Sequence, residues 1–114
     1  MKSLIAIKDA FFYSMSGLKY LLKERAFCQE LTVMILLGII EIFRDTSLNM
    51  RLYLFSSFML ILFAEAMNSA IEATVDRVGL EKHELSKKAK DIGSAAVFIT
   101  MVHFAITWVL SFIF

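Results

Sequence analysis

Two stretches of this chain are incompatible with a water-facing surface. Leu52 to Ala64 is thirteen residues without a charge, and Ile92 to Phe114 is 23 residues whose only titratable group is His103. About 20 consecutive apolar residues is the length at which a helix crosses ~30 Å of hydrocarbon. Lipid offers no hydrogen bonds, so such a segment must satisfy its own backbone and is read as helix. Composition agrees: 59% of the 114 residues are hydrophobic, with no proline and four glycines. That fraction in so short a chain points to one membrane domain, residues 1–114, rather than a soluble core. The first residues show no apolar signal region followed by a small-residue cleavage site, so the apolar segments are expected to be retained.

The remaining segments follow from pattern. Leu4, Ile7, Phe11, Met15, Leu18 and Leu22 recur at three and four, while Lys8, Lys19 and Lys23 share another face. Residues 3–24 therefore read as a basic amphipathic helix lying on the membrane surface. A first span is expected over 26–43. Its uncharged core, Leu31 to Ile40, is ten residues bracketed by Glu30 and Glu41, so it needs its flanks and burial against neighbours. Residues 44–49 read as a polar turn, 52–73 as a second span, 76–91 as a polar cytoplasmic loop with Gly79 ending the helix, and 92–114 as a third span. Five Lys or Arg precede the first span, two lie between the first and second, five lie between the second and third, and none follows. This asymmetry puts the N-terminus and the 76–91 loop in the cytoplasm. Trp108 is expected as an outer-interface anchor, His103 as a packing residue and the lone Cys28 as a small apolar one. Acids are interspersed among the basic residues, so no nucleic-acid-binding stripe is present.

The chemistry concentrates on one side. Glu65, Asn68 and Glu72 stand at i, i+3 and i+7, which puts them on one helix face. A carboxylate at the depth of Glu65 costs roughly 2.5–3.5 kcal/mol on insertion scales, which makes it a functional candidate. A glutamate snorkelling to the surface would need no polar companions on its stripe. Glu24 and Glu30 enter the first span, Asp76 leaves the second, and Lys90, Asp91 and Ser94 enter the third, all toward the cytoplasm. Carboxylates converging from two helices suit Mg²⁺, which takes one or two of them plus water and phosphate oxygens. Lysines beside them suit a polyphosphate. A deeper glutamate suits the role of general base on a lipid hydroxyl. Taken singly, Glu24, Glu81, Lys82, Glu84, Lys87, Lys88 and Lys90 read better as solvated surface or topology determinants than as site residues. There is no Walker motif, glycine-rich kinase loop, zinc spacing or Ser-His-Asp set. The residues alone define a small polytopic membrane protein with an acidic cytoplasmic cluster, and no reaction.

The stretch from Glu65 through Gly79 (Glu-Ala-Met-Asn-Ser-Ala-Ile-Glu-Ala-Thr-Val-Asp-Arg-Val-Gly) and the stretch from His83 through Val97 resemble the bacterial integral-membrane diacylglycerol kinase family. Ala26-Phe-Cys-Gln-Glu30, His83-Glu-Leu-Ser and Gly93-Ser-Ala-Ala resemble its diacylglycerol branch rather than its undecaprenol branch. The resemblance implies an all-α membrane protein of the bacterial inner membrane, a homotrimer whose protomers each have a surface helix and three transmembrane helices. It implies MgATP-dependent phosphorylation of diacylglycerol to phosphatidic acid. It further implies Glu65 as catalytic base, and Glu24 and Glu72 as metal-binding carboxylates that also face the nucleotide. Glu81, Lys82, His83, Lys90 and Asp91 become nucleotide contacts, and Gln29, Glu30, Glu65 and Ser94 lipid-substrate contacts. Asn68 and Asp76 become supports of the site. The family's Ser-Gly-Arg is Ser86-Lys87-Lys88 here. Three rivals carry other expectations: a kinase for undecaprenol or another long-chain alcohol, a small proton-coupled channel or exporter with Glu65 as its proton site, and a structural membrane protein that has lost activity, against which the set Glu24, Glu65, Asn68, Glu72, Lys90 and Asp91 stands.

Overall fold

The computed structural model describes residues 1–114. They form four helices: α1 Lys2–Leu21, α2 Arg25–Ile42, α3 Leu48–Val78 and α4 Glu84–Ile113. There is no strand. α3 and α4 make the main packing pair, α2 touches α3 over a smaller surface, and α1 stands apart with no buried residue. The pair is antiparallel: Asp76 near the end of α3 meets Lys90 near the start of α4, and Phe58 near the start of α3 meets Trp108 near the end of α4.

At ~1.5 Å per residue, the 31 residues of α3 and the 30 of α4 each span about 45 Å. Both are long and apolar enough to cross a membrane, and both exceed ~30 Å of hydrocarbon by several turns. That excess accounts for one departure from the sequence reading. Residues 76–91 were expected as a loop, yet only residues 79–83 lie outside helix. Glu, Lys, Ala and Leu dominate the flanks and are strong helix formers, so polarity there marks a helix leaving the membrane, not a break in it. Gly79 ends α3, its N–H donating to the Val75 carbonyl. α4 starts where the His83 ring nitrogen Nδ1 accepts the Leu85 N–H at 3.0 Å. At the other end the Ser47 hydroxyl accepts the Met50 N–H at 3.2 Å and opens α3 four residues before the expected span. α2, with 18 residues, is ~27 Å long and carries both Glu30 and Glu41.

Only 12 of 114 residues are buried. Val33, Leu36, Ile39, Phe55, Leu60, Phe63, Phe98 and Ile106 all face outward. A surface this apolar is the outside of a membrane protein, where lipid takes the place of water.

The corner between α2 and α3 is fastened to the end of α4. Arg44 Nη1 donates to Glu41 Oε2 at 2.7 Å and to Ser111 Oγ at 3.2 Å, and Nη2 donates to the Ser111 carbonyl at 2.8 Å. The guanidinium lies 4.1 Å from the Phe112 ring centroid. Arg51 Nη2 reaches back to the Arg44 carbonyl at 2.9 Å. Trp108, expected at the interface, is instead buried, stacked between Phe58, Phe104 and Phe112. It faces α3, and packing area outweighs the interfacial preference of its ring. His103 lies exposed on α4. Arg44→Gln leaves the buried Glu41 carboxylate with only the more distant Arg51, whose Nε lies 3.8 Å away, and should cost about 1–3 kcal/mol of unfolding free energy in micelles. Arg44→Lys, which keeps the charge but loses the fork, should fall between. Equal unfolding curves for all three would show that this corner does not hold the bundle.

Candidate active site

The opposite end of α3 gathers the acids. Glu65 is buried, 8% exposed, while Asn68 and Ser69 are half-buried and Glu72 and Asp76 exposed. The face thus runs from protein interior to water along three turns. Glu30 of α2 comes against Glu65, and its Oε2 is buried with no hydrogen-bond partner. No Lys or Arg is ion-paired with either. Two acids adjoin there with acceptor capacity left over, next to an apolar pocket of about 320 Å³ lined by Gln29, Glu30, Val33, Met34, Ile61, Met101 and Phe104. A hydroxyl donor on an apolar body fits that combination.

One turn further out, Asn68 Nδ2 donates to Glu72 Oε1 at 3.1 Å. Ser69 Oγ donates to Glu24 Oε2 at 2.6 Å. Glu24 sits at the N-cap of α2, so this bond brings its carboxylate onto α3. Ser69 and Glu72 are three residues apart on one helix and share a face. Each carboxylate keeps one oxygen outside these bonds. No three His, Cys, Asp or Glu side chains lie close enough to hold a metal by themselves, so a cation here must complete its shell with water or phosphate, as Mg²⁺ does.

Beyond Glu72 a cleft of about 710 Å³ opens between the end of α3 and the start of α4. Asp76, Glu81, Lys82, His83, Lys87, Lys90 and Asp91 line it. Lys90 Nζ is 2.6 Å from Asp76 Oδ1, and Lys87 Nζ is 2.6 Å from Asp91 Oδ2. The hydrogen bond to Asp76 raises Lys90 above the ordinary lysine value, and Asp91 does the same for Lys87. Both are therefore cations throughout the physiological range, lining the same cleft.

Of the residues singled out in the sequence, the structure brings Glu24 to the Ser69–Glu72 face, Glu30 to Glu65, and Asp76, Glu81, Lys82, His83, Lys90 and Asp91 to one cleft. Gln29 lines the apolar pocket beside Glu30. Ser94 is exposed on α4 and joins neither group. Ser69 was not singled out, although its spacing of four from Glu65 and three from Glu72 places it on the same stripe.

An all-helical membrane protein whose long central helix carries carboxylates beside an apolar pocket and a lysine-lined cleft has the parts of a membrane-embedded phosphotransferase. Residues 12–112 match the family described as prokaryotic diacylglycerol kinase. The chain is 47% identical over 97 residues to a diacylglycerol kinase of Escherichia coli K12, covering 84% of this chain and 80% of that one. It is 42% identical over 103 residues to a diacylglycerol kinase of Pseudomonas aeruginosa, covering 90% and 84%. A Helicobacter pylori diacylglycerol kinase is 34% identical over 101 residues, covering 87% and 78%. The chain belongs to the prokaryotic diacylglycerol kinase family.

Ser69→Ala should free the Glu24 carboxylate from α3. The Mg²⁺ concentration for half-maximal activity should then rise by roughly 3–10-fold, as for loss of one hydrogen bond to a partly exposed charge. Ser69→Thr should stay near wild type. A Ser69→Ala enzyme with an unchanged Mg²⁺ titration would remove Ser69 from the site.

Proposed function

We infer that this protein is an ATP-dependent diacylglycerol kinase. It transfers the γ-phosphoryl group of ATP to the free hydroxyl of diacylglycerol and yields phosphatidic acid and ADP. The observation that carries this is the family match across residues 12–112.

The geometry supports a division of labour. The lipid enters from the apolar pocket at Gln29 and Glu30, so its hydroxyl arrives at Glu65 at the membrane boundary; Ser94, outside that pocket, is given to the lipid by the family resemblance alone. Glu65 is the base: it takes the hydroxyl proton as the oxygen forms its bond to the γ-phosphorus and the bond to the β-phosphate oxygen breaks. Glu24 and Glu72 hold Mg²⁺, which when bound offsets charge on the phosphates. Lys90 and Lys82 offset more of that charge, while Glu81, His83 and Asp91 border the nucleotide in the cleft. Asn68 orients Glu72, and Asp76 holds Lys90 in reach. Positioning and charge compensation carry most phosphoryl-transfer catalysis, so this short set suffices without a Walker motif.

We place the chain as one domain in the inner membrane of a bacterium, with α1 on its cytoplasmic surface and spans over 26–43, 52–73 and 92–114. The ~27 Å of α2 and its few contacts within the chain support burial against another copy, and a homotrimer with sites between protomers fits this best.

The decisive experiment is phosphorylation of diacylglycerol and undecaprenol, side by side, by the purified protein with labelled ATP and Mg²⁺. Diacylglycerol should be strongly preferred. Glu65→Gln should lose roughly 10²–10⁴-fold in kcat while retaining nucleotide binding. In sealed vesicles, ATP added outside should be used only when the membrane is inverted. Preference for undecaprenol would move the enzyme to the other branch, turnover within threefold of wild type would remove Glu65 from the base role, and use of ATP from the opposite side would reverse the orientation.

The trimer makes a separate demand. Glu65→Gln and Lys90→Ala chains, each inactive, are unfolded and refolded together. With sites shared between protomers, some mixed trimers hold one undamaged site and activity returns at a fraction of wild type. Silence despite crosslinked mixed trimers would confine Glu65 and Lys90 to one chain.

A further inference from the structure

Gly93 is buried in α4 opposite the acidic face of α3. A Cβ built on it would run into Asn68 Oδ1, closer than atoms can approach, while the next nearest atoms would be Asn68 Cγ at 3.4 Å and Ile71 Cδ1 at 3.6 Å, ordinary packing distances. The obstacle is therefore one carboxamide. That same oxygen is buried and accepts no hydrogen bond, although the Nδ2 end of the group donates to Glu72 at 3.1 Å. With no Cβ on Gly93, the space a side chain would fill is taken by the Asn68 carboxamide oxygen. Turning the carboxamide to relieve a clash would take Nδ2 off Glu72, because both ends belong to one plane.

We propose that Gly93 is a positioning residue for the metal-holding end of the site. Its missing Cβ lets the Asn68 carboxamide lie between α3 and α4 and hold the Glu72 carboxylate in one orientation. This rests on the reading of Glu72 as a Mg²⁺ ligand. Gly93 touches neither lipid nor nucleotide and acts through Asn68 alone. A partner that orients a metal ligand is typically worth roughly 10–100-fold in metal affinity. The distinctive consequence is coupling: Gly93 matters only while Asn68 is there to be displaced.

The test is a double-mutant cycle read by nucleotide binding in micelles as a function of Mg²⁺, together with thermal midpoints. Gly93→Ala should require about tenfold more Mg²⁺ for half-maximal ATP binding. Asn68→Ala should require a similar increase, and Asn68→Ala/Gly93→Ala no more than Asn68→Ala alone. A wild-type Mg²⁺ titration for Gly93→Ala, or two effects that add in full, would overturn the proposal. If Gly93→Ala alone does not fold, the double variant, with the obstructing carboxamide gone, should fold with the midpoint of Asn68→Ala. Failure of that variant as well would place the crowding elsewhere and overturn the proposal equally. The midpoints do not depend on the reaction. A wild-type protein inert toward diacylglycerol would remove the kinase reading, whereas additive midpoints would remove the Asn68–Gly93 contact.

Discussion

Hydrocarbon accepts no unpaired backbone group, and that constraint shapes everything else in this chain. It forces the apolar stretches into unbroken helices, and it expels polar side chains to the ends. α3 is longer than the bilayer is thick, so one rigid rod both spans the membrane and carries the acids out into water. Glu65, Asn68, Ser69, Glu72 and Asp76 lie along it as a ladder of increasing exposure. A lipid hydroxyl and a nucleotide phosphate come from different solvents, and a ladder on one helix is a simple way to present groups to both in fixed register. A loop at this boundary would carry the same residues without that register.

The helical face was legible because three polar groups at i, i+3 and i+7 stand out against an apolar run. The membrane character was legible for the same reason, and the four-helix order followed from it. What sequence concealed were contacts between distant residues. Nothing near Arg44 announces Ser111, 67 positions away, and nothing near Glu24 announces Ser69, 45 positions away. Serine is common in such helices, so its identity carries no signal until a partner is seen. Residues 84–91 misled because charge was taken as loop, when the helix had simply left the lipid. Trp108 misled because interfacial preference is an average, and here Phe58 and Phe104 outbid it. The reaction itself came from resemblance, since periodicity places carboxylates but does not say what they act upon.

The two ends of the bundle treat charge differently, and the difference separates stability from chemistry. At the end where α2 turns into α3, Glu41 and Arg44 have side chains 12% and 19% exposed, and the guanidinium is committed to three oxygens and an aromatic ring. Breaking such a pair strands a charge, so it stays shut. At the end where α3 turns into α4, the pairs Lys90–Asp76 and Lys87–Asp91 are 42% to 78% exposed. Exposed pairs contribute little to stability, so either lysine can exchange its aspartate for another anion at little cost. The same short distances therefore mean different things: a fastening where water is excluded, and a cation held ready where it is not. Between them, at Glu30 and Glu65, acids adjoin with no cation at all. That arrangement contributes nothing to holding helices together. The more deeply buried acid, Glu65, lies on the helix that organises the fold, and a carboxylate kept there without a cation is the physical reason for proposing the reaction at that level of the membrane.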